Sequence, residues 1–261
     1  MGSETDTRDR QSSADRGSAT AASEARDLVT LSTGHEIRLP LETAATVTGL
    51  LLPADSDAVV DLLPAGLQPV RVTPRRAVVT LLAVEYHRIG DDAVGPYDEF
   101  AVVLAATPER ARPLVPLATG EYGGYVHSLP VTTDPARALG AEVWGFPKSV
   151  ARISHHDEGR RRTTSVVEDG DHVLTVDIAR PRTWPATRET TSYAVRDGRL
   201  EALSTHMDGR FGVRPLSSDF EVMVGYHDRS ATLRDLDIGD RALAQVAFEG
   251  TVTYGAGGPV A

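Results

Sequence analysis

Strand-forming segments follow one another along most of this chain and restrict its fold more than any other feature. Each segment alternates apolar and polar side chains or is rich in β-branched and aromatic residues, as β-strands are. Asp169-Gly170 and Asp197-Gly198 are typical of tight hairpin turns. Strands are predicted at Ala77–Ile89, Glu99–Thr107, Gly123–Val131, Ser149–His156, Arg162–Glu168, His172–Arg180, Thr190–Val195, Leu200–His206, Phe220–Gly225 and Val246–Tyr254. The sequence therefore predicts a mainly β, largely antiparallel domain.

The predicted helices are few and short. Helical spacing predicts one over Ser56–Leu63, and Asp134-Pro135 opens a second that should stop at Gly140. A third is predicted near Ile238–Gln245. Because neither a repeat nor an internal linker is evident, we expect one domain over residues 28–254.

Both ends of the chain are predicted to be disordered tails. Residues 1–27 form a polar segment rich in acidic residues, with no Val, Ile, Leu, Phe, Tyr or Trp, so they cannot bury enough apolar surface to order themselves. A second, shorter tail is predicted at Gly255–Ala261.

Charge and hydropathy argue against nucleic acid and membrane as partners. The net charge is −10, which repels phosphate backbones. The dense basic run Arg160–Arg162 follows two acidic residues and is predicted to be a solvated turn. No run of 18 apolar residues is present, and the start lacks the pattern of a secretory signal. We therefore expect a cytoplasmic protein.

Common cofactor and nucleophile motifs are missing. The chain has no cysteine, no phosphate-binding glycine loop and no G-x-S-x-G motif. No histidines have the spacing of a zinc-binding helix, and neighbours such as His155 and His156 point to opposite faces of a strand. We therefore expect no metal and no organic cofactor.

The basic residues are 26 arginines and a single lysine, Lys148. Asparagine is absent as well, and a GC-rich genome accounts for both biases. Arginine cannot replace an amine that must lose its proton and attack a carbonyl, since the guanidinium stays charged. Lys148 is therefore the candidate for a nucleophile.

The residues around Lys148 suit such a role. Trp144, Phe146 and Val150 surround it with apolar bulk, and Pro147 fixes the backbone before it. A lysine at the start of a half-buried strand should aim its stem inward. Loss of water around an ammonium favours the neutral, nucleophilic amine.

Two motifs resemble those of the acetoacetate decarboxylase family. One is G-x-E-x-x-G-F-P-K, from Gly140 to Lys148, and the other is G-P-Y-D-E, from Gly95 to Glu99. The resemblance implies that Lys148 forms an imine with a β-keto acid while Glu99 faces the amine. Acetoacetate decarboxylase is itself the standard example of a lysine activated in this way. The resemblance also implies a cone-shaped antiparallel β-barrel with a few short peripheral helices, a homo-oligomer and no cofactor.

Further residues are assigned to the substrate pocket from the same resemblance. The family's earlier acidic position lies near Glu85, and Tyr97, Trp144 and Phe146 are expected to be pocket walls. Glu142 is either a pocket carboxylate or a turn residue that bonds to backbone.

Two departures from the family pattern leave the reaction open. Ser149 stands where classical members have a second lysine, and Glu42–Leu52 lacks the arginine that helps them receive the substrate carboxylate. Three functions therefore compete: a decarboxylase of a β-keto acid such as acetoacetate, a Schiff-base aldolase or dehydratase acting on keto acids, and a non-catalytic module that binds a small acid. The arginines considered as carboxylate receivers are Arg38, Arg75, Arg76 and Arg88.

Overall fold

The computed structural model describes residues 28–92, 94–109 and 122–260. The strands are β1 (Leu28–Thr30), β2 (Glu36–Arg38), β3 (Leu41–Asp55), β4 (Leu67–Pro69), β5 (Arg71–Thr73), β6 (Arg76–Ile89), β7 (Tyr97–Pro108), β8 (Gly123–Val131), β9 (Lys148–Val150), β10 (Arg152–Glu158), β11 (Arg161–Glu168), β12 (Asp171–Ala179), β13 (Trp184–Arg196), β14 (Arg199–Ser217), β15 (Phe220–Val224), β16 (Ala242–Tyr254) and β17 (Gly258–Pro259). The helices of the described residues are α1 (Ser56–Leu62), α2 (Asp134–Trp144) and α3 (Asp228–Asp235).

Seven strands close into a barrel in the order β7-β6-β3-β16-β14-β13-β8, and β8 pairs again with β7. Every neighbouring pair is antiparallel except β13 with β8, and β9 adds to β8 in parallel. Closure removes free edges from the barrel strands. The predicted mainly β barrel with short peripheral helices is confirmed.

A second, four-stranded sheet of β10, β11, β12 and β15 packs on the outside of the barrel. Side chains alternate along β7, so Ala101 faces the interior while Phe100 and Val102 face this sheet. Phe100 shares a buried cluster with Leu174 and Val176 of β12. Strand β7 is therefore buried on both faces, which holds its residues rigidly in place.

Two helix predictions were wrong in their bounds. Helix α2 continues through Gly140 because its last turn buries Val143 and Trp144, and it ends at Gly145. The third helix lies at Asp228–Asp235, where the His227 side chain caps it. The residues predicted to be helical near Gln245 instead begin strand β16.

The tail and charge predictions also need correction. Residues 1–27 and Ala261 lie outside the described residues. Within the predicted second tail, Gly258 and Pro259 pair with β14. Arg162 is not solvated: it is 5% exposed and forms ion pairs with Asp157 and with Glu85 of the barrel. The longest helix in the described part of the chain has 11 residues, and none of these helices could cross a membrane.

Candidate active site

A cavity of about 160 Å³ lies inside the barrel. An apolar protein cavity of about 150 Å³ holds benzene, so this one suits a ligand of roughly six or seven non-hydrogen atoms. Its apolar walls are Leu41, Ala45, Val47, Leu82, Val84, Ala101, Val103, Val126, Leu129, Leu139, Met207 and Val252. Such walls leave few partners for water and strengthen any electrostatic interaction inside.

The turn after α2 delivers Lys148 to this cavity. Gly145 adopts a left-handed conformation (φ 70°) that ends the helix, and an added Cβ there would lie 2.7 Å from Cβ of Arg196. Pro147 follows, and Lys148 then pairs with Leu129 of β8. The lysine side chain is 3% exposed and lines the cavity, as the half-buried strand start predicts.

The lysine stem passes directly over Gly140. A Cβ added to Gly140 would lie 2.6 Å from Cδ of Lys148 and 2.9 Å from its Nζ. Glycine inside a helix is less favourable than alanine by about 0.5–1 kcal/mol. The absence of a side chain at this helical position therefore makes room for the lysine.

Glu99 meets the amine. Lys148 Nζ donates a hydrogen bond to Glu99 Oε2 over 2.7 Å, and the Glu99 side chain is 8% exposed. The amine also lies 5.2 Å from the centre of the Tyr97 ring. An amine and a carboxyl group thus lie in direct contact in a mostly apolar cavity, an arrangement that is costly to bury and common at functional sites.

Three tyrosine side chains lie next to the contact between Lys148 and Glu99. Tyr86 Oη lies 3.5 Å from Glu99 Oε1 and 2.6 Å from Tyr254 Oη. The Tyr86 and Tyr97 rings are 4.7 Å apart. Burial, and after it the Glu99 carboxylate, raises the pKa of Tyr86, Tyr97 and Tyr254 above the ordinary tyrosine value. The cavity thus holds neutral phenol groups beside its carboxylate.

The aromatic residues assigned to the pocket all line it. Tyr97, Trp144 and Phe146 are cavity walls. The indole Nε1 of Trp144 donates a hydrogen bond to Gly255 O, and its ring lies 5.3 Å from that of Tyr254. Trp144 therefore links the residue after β16 to the end of helix α2, which precedes Lys148.

The two further carboxylates do not reach the cavity. Glu85 lies between Val84 and Tyr86, which line it, so alternation along β6 turns Glu85 outward to Arg162. Glu142 is exposed and accepts hydrogen bonds from the Ser32 backbone and hydroxyl, which lower its pKa. Neither side chain lines the cavity, so the structure does not support their assignment to the substrate pocket.

No arginine of the described residues lines the cavity. Of the four candidates, Arg88 pairs with Glu42 and Arg76 with Asp237. Arg38 and Arg75 are exposed. Within the segment that lacks the family arginine, Ala45 presents only a methyl group to the cavity.

Some residues that line the cavity were not predicted because they come from strands far from Lys148 in the sequence. Tyr86 follows Glu85 directly, so a register one residue later would have found it. Tyr254 and Thr205 line the cavity from β16 and β14. Their strands were predicted in part, but no local motif marks which of their faces turns inward.

The chain belongs to the acetoacetate decarboxylase family, whose model, described as acetoacetate decarboxylase (ADC), matches residues 29–255. Acetoacetate decarboxylase 3 of Mesorhizobium japonicum is 33% identical over 96 residues, 36% of this chain and 34% of that protein. This match therefore spans about a third of the relative's length.

Solved structures share the fold at low identity. A structure of acetoacetate decarboxylase, from work titled "Structural Studies of Acetoacetate Decarboxylase", has a TM-score of 0.65 and 14% identity. The match covers 86% of this chain and 90% of that one. The enduracididine biosynthesis enzyme MppR complexed with pyruvate has a TM-score of 0.64 and 13% identity, covering 85% and 90%. Acetoacetate decarboxylase from Legionella pneumophila has a TM-score of 0.59 and 16% identity, covering 85% and 87%.

Gly140→Ala tests the fit between α2 and the lysine. The added methyl group should displace the amine from Glu99, so the loss of this buried contact offsets the gain in helix propensity. We expect trapping of a ketone by borohydride to fall by about 10²-fold, the scale of a 1 Å misplacement, with an unchanged or lower Tm. Gly258→Ala adds its methyl group to open space and should change neither. Unchanged trapping by Gly140→Ala would contradict the packing argument.

The raised pKa values of the cavity phenols predict a delayed alkaline titration. The unfolded chain should release its tyrosine protons near pH 10, whereas the folded chain keeps those of Tyr86, Tyr97 and Tyr254 to a higher pH. Since the folded state then binds more protons, the free energy of unfolding should fall as pH rises above about 10. Tyrosinate absorbance measures this. Coincident curves for the folded and the urea-unfolded protein would contradict it.

Proposed function

We propose that this protein is a lysine-dependent lyase that decarboxylates a small β-keto acid such as acetoacetate through an imine on Lys148. The observation that carries the proposal is the contact of the buried Lys148 amine with Glu99 inside an apolar cavity. Membership of the acetoacetate decarboxylase family supports it.

The reaction begins when the lone pair of Nζ attacks the ketone carbon. Passage of a proton along the 2.7 Å hydrogen bond to Glu99 frees that lone pair and leaves both groups uncharged. The resulting carbinolamine loses its hydroxyl as water when Glu99 returns the proton to that oxygen, which leaves a protonated imine and an ionised Glu99. The bond from the α-carbon to the carboxylate then breaks, its electron pair moves into the imine, and carbon dioxide leaves. Protonation of the enamine and addition of water release the ketone product and the free amine.

The cavity walls favour the bond-breaking step. Leu82, Val84 and Ala101 offer no hydrogen bonds from their side chains to a carboxylate, and Glu99 repels it. The charge of the carboxylate spreads into the neutral enamine and carbon dioxide as the bond breaks. An environment that solvates the reactant poorly therefore lowers the barrier to carbon dioxide loss.

A second candidate shares the same imine. The described lining contains no arginine, and Ser149 stands in the place of a second lysine. These departures favour a Schiff-base aldolase or dehydratase acting on keto acids, in which a carbon–carbon bond to a carbinol carbon breaks or forms instead. MppR, which shares the fold, was solved in complex with pyruvate, which is a keto acid.

Borohydride reduction in the presence of ketones tests the proposal. Because Lys148 is the only lysine, cleavage after Arg137 and Arg152 releases one peptide that contains the only side-chain amine. We expect acetoacetate or acetone to add the mass of the reduced imine to this peptide, and Lys148→Met to abolish it. Mass spectrometry of the N-terminal peptide controls for reaction at the chain terminus.

Each outcome of the reduction separates the candidates. Carbon dioxide release from acetoacetate supports the decarboxylase. An adduct without carbon dioxide release, together with condensation of pyruvate with an aldehyde, supports the aldolase or dehydratase. If no ketone or keto acid gives an adduct at Lys148, the enzymatic proposal is wrong and a small-acid-binding module is left.

A further inference from the structure

The wall of the cavity continues outward along the hairpin of β13 and β14. Thr190 and Ser192 of β13 line the cavity, and alternation along the strand places Arg188 on the same inner face. Arg188 is directly opposite Met207, which also lines the cavity and is itself opposite the wall residue Val252. Arg188 is therefore the next inner-face residue of β13 beyond the cavity wall.

This part of the wall opens to solvent. Thr190 is exposed and Met207 is half-buried, whereas Leu129, the strand partner of Lys148, is 4% exposed. Arg188 is exposed as well. Because it follows these partly exposed wall residues on the inner face, Arg188 lies at the rim of the cavity mouth.

The guanidinium group of Arg188 has no partner of opposite charge among the described residues. It donates a hydrogen bond to Thr187 O over 3.0 Å, and its Cζ lies 5.8 Å from the centre of the Phe211 ring. The acidic residues next to it in the hairpin, Glu189 and Asp208, project from the outer face of the two strands. The positive charge of Arg188 is thus open to an anion that approaches the mouth.

A single guanidinium matters here because the rest of the site repels an anion. The chain has a net charge of −10, and Glu99 adds a carboxylate inside the cavity. Lys148, the one cation of the described lining, is paired with Glu99. A charge at a cleft with walls of low dielectric constant raises the local concentration of ions of the opposite sign.

We propose that Arg188 recruits anionic substrates to the cavity mouth and so makes the enzyme select keto acids over neutral ketones. The proposal rests on the imine chemistry proposed above and defines its substrate class as carbonyl compounds that carry a negative charge. The carboxylate meets Arg188 before entry and leaves it when the ketone reaches Lys148. The reacting carboxylate therefore stays poorly solvated, and Arg188 acts on substrate capture rather than on the bond-breaking step.

Trapping rates for a matched pair of ketones test this role. Levulinate and 2-pentanone share a methyl ketone and chain length, but only levulinate carries a carboxylate. The measured quantity is the ratio of their second-order rate constants for borohydride trapping, in which any attraction of the borohydride anion itself cancels. At about 10 mM salt, Arg188→Gln should lower this ratio about five-fold, the Boltzmann factor for two unit charges about 4 Å apart in water. At about 1 M salt, where the screening length is about 3 Å, the variant and the wild-type protein should give the same ratio.

Arg199→Gln is the matched control. Arg199 is exposed on the same hairpin and pairs with Arg196, eight residues along β13 from Arg188. At about 3.3 Å per residue this separation is about 26 Å, so the ratio should change by less than about 1.5-fold. If Arg188→Gln leaves the ratio unchanged at low salt, or lowers it equally at high salt, the recruiting role is wrong and the imine chemistry stands. If the wild-type protein traps neither ketone, both proposals are overturned.

Discussion

The contact between Lys148 and Glu99 is the interaction on which the rest of the site depends. Two ionisable groups, 3% and 8% exposed, lie 2.7 Å apart inside an apolar barrel. Burying such a pair costs several kcal/mol per ion before their attraction is counted, and apolar side chains in the same volume are often as stable or more so. The chain has 26 arginines and one lysine, and that lysine lies where a charge is costly to bury. Stability does not explain this position, whereas the proposed covalent chemistry with a carbonyl does.

The fold serves this contact in two ways. Strand β7 is packed on both faces, so Glu99 is fixed on the inner face by Phe100 on the outer one. Helix α2 has no side chain at Gly140, so the lysine stem can pass the helix there and reach the Glu99 carboxylate. The helix ends at Gly145, three residues before Lys148. Gly140, which weakens its helix, and Lys148 with Glu99, which are costly to bury, lie together at the site. This pattern is expected where function and stability compete.

The parts of this architecture that were predictable are local in sequence. The period of the strands gave the fold class, and two short motifs gave Lys148 and Glu99. Glu85 was assigned to the pocket in place of Tyr86 because a register error of one residue exchanges the two faces of a strand. Tyr86 is the residue that lines the cavity. Tyr254 and Thr205 could not be found at all: they reach the cavity through barrel closure, which pairs strands far apart in the sequence. The long strand β3 was not predicted because its buried residues change from one face to the other partway along. Leu41, Thr43 and Ala45 are buried on one face, and Thr48, Leu50, Leu52 and Ala54 on the other.

A single lysine makes the central claim directly measurable. Protein labelled with ¹⁵N at the lysine side chain gives one Nζ resonance, from Lys148. On addition of saturating 2-pentanone, this resonance should move to the imine region, and Lys148→Met should leave no labelled side chain to shift. A resonance that keeps the position of a free lysine side chain at every ketone concentration would show that no imine forms on Lys148.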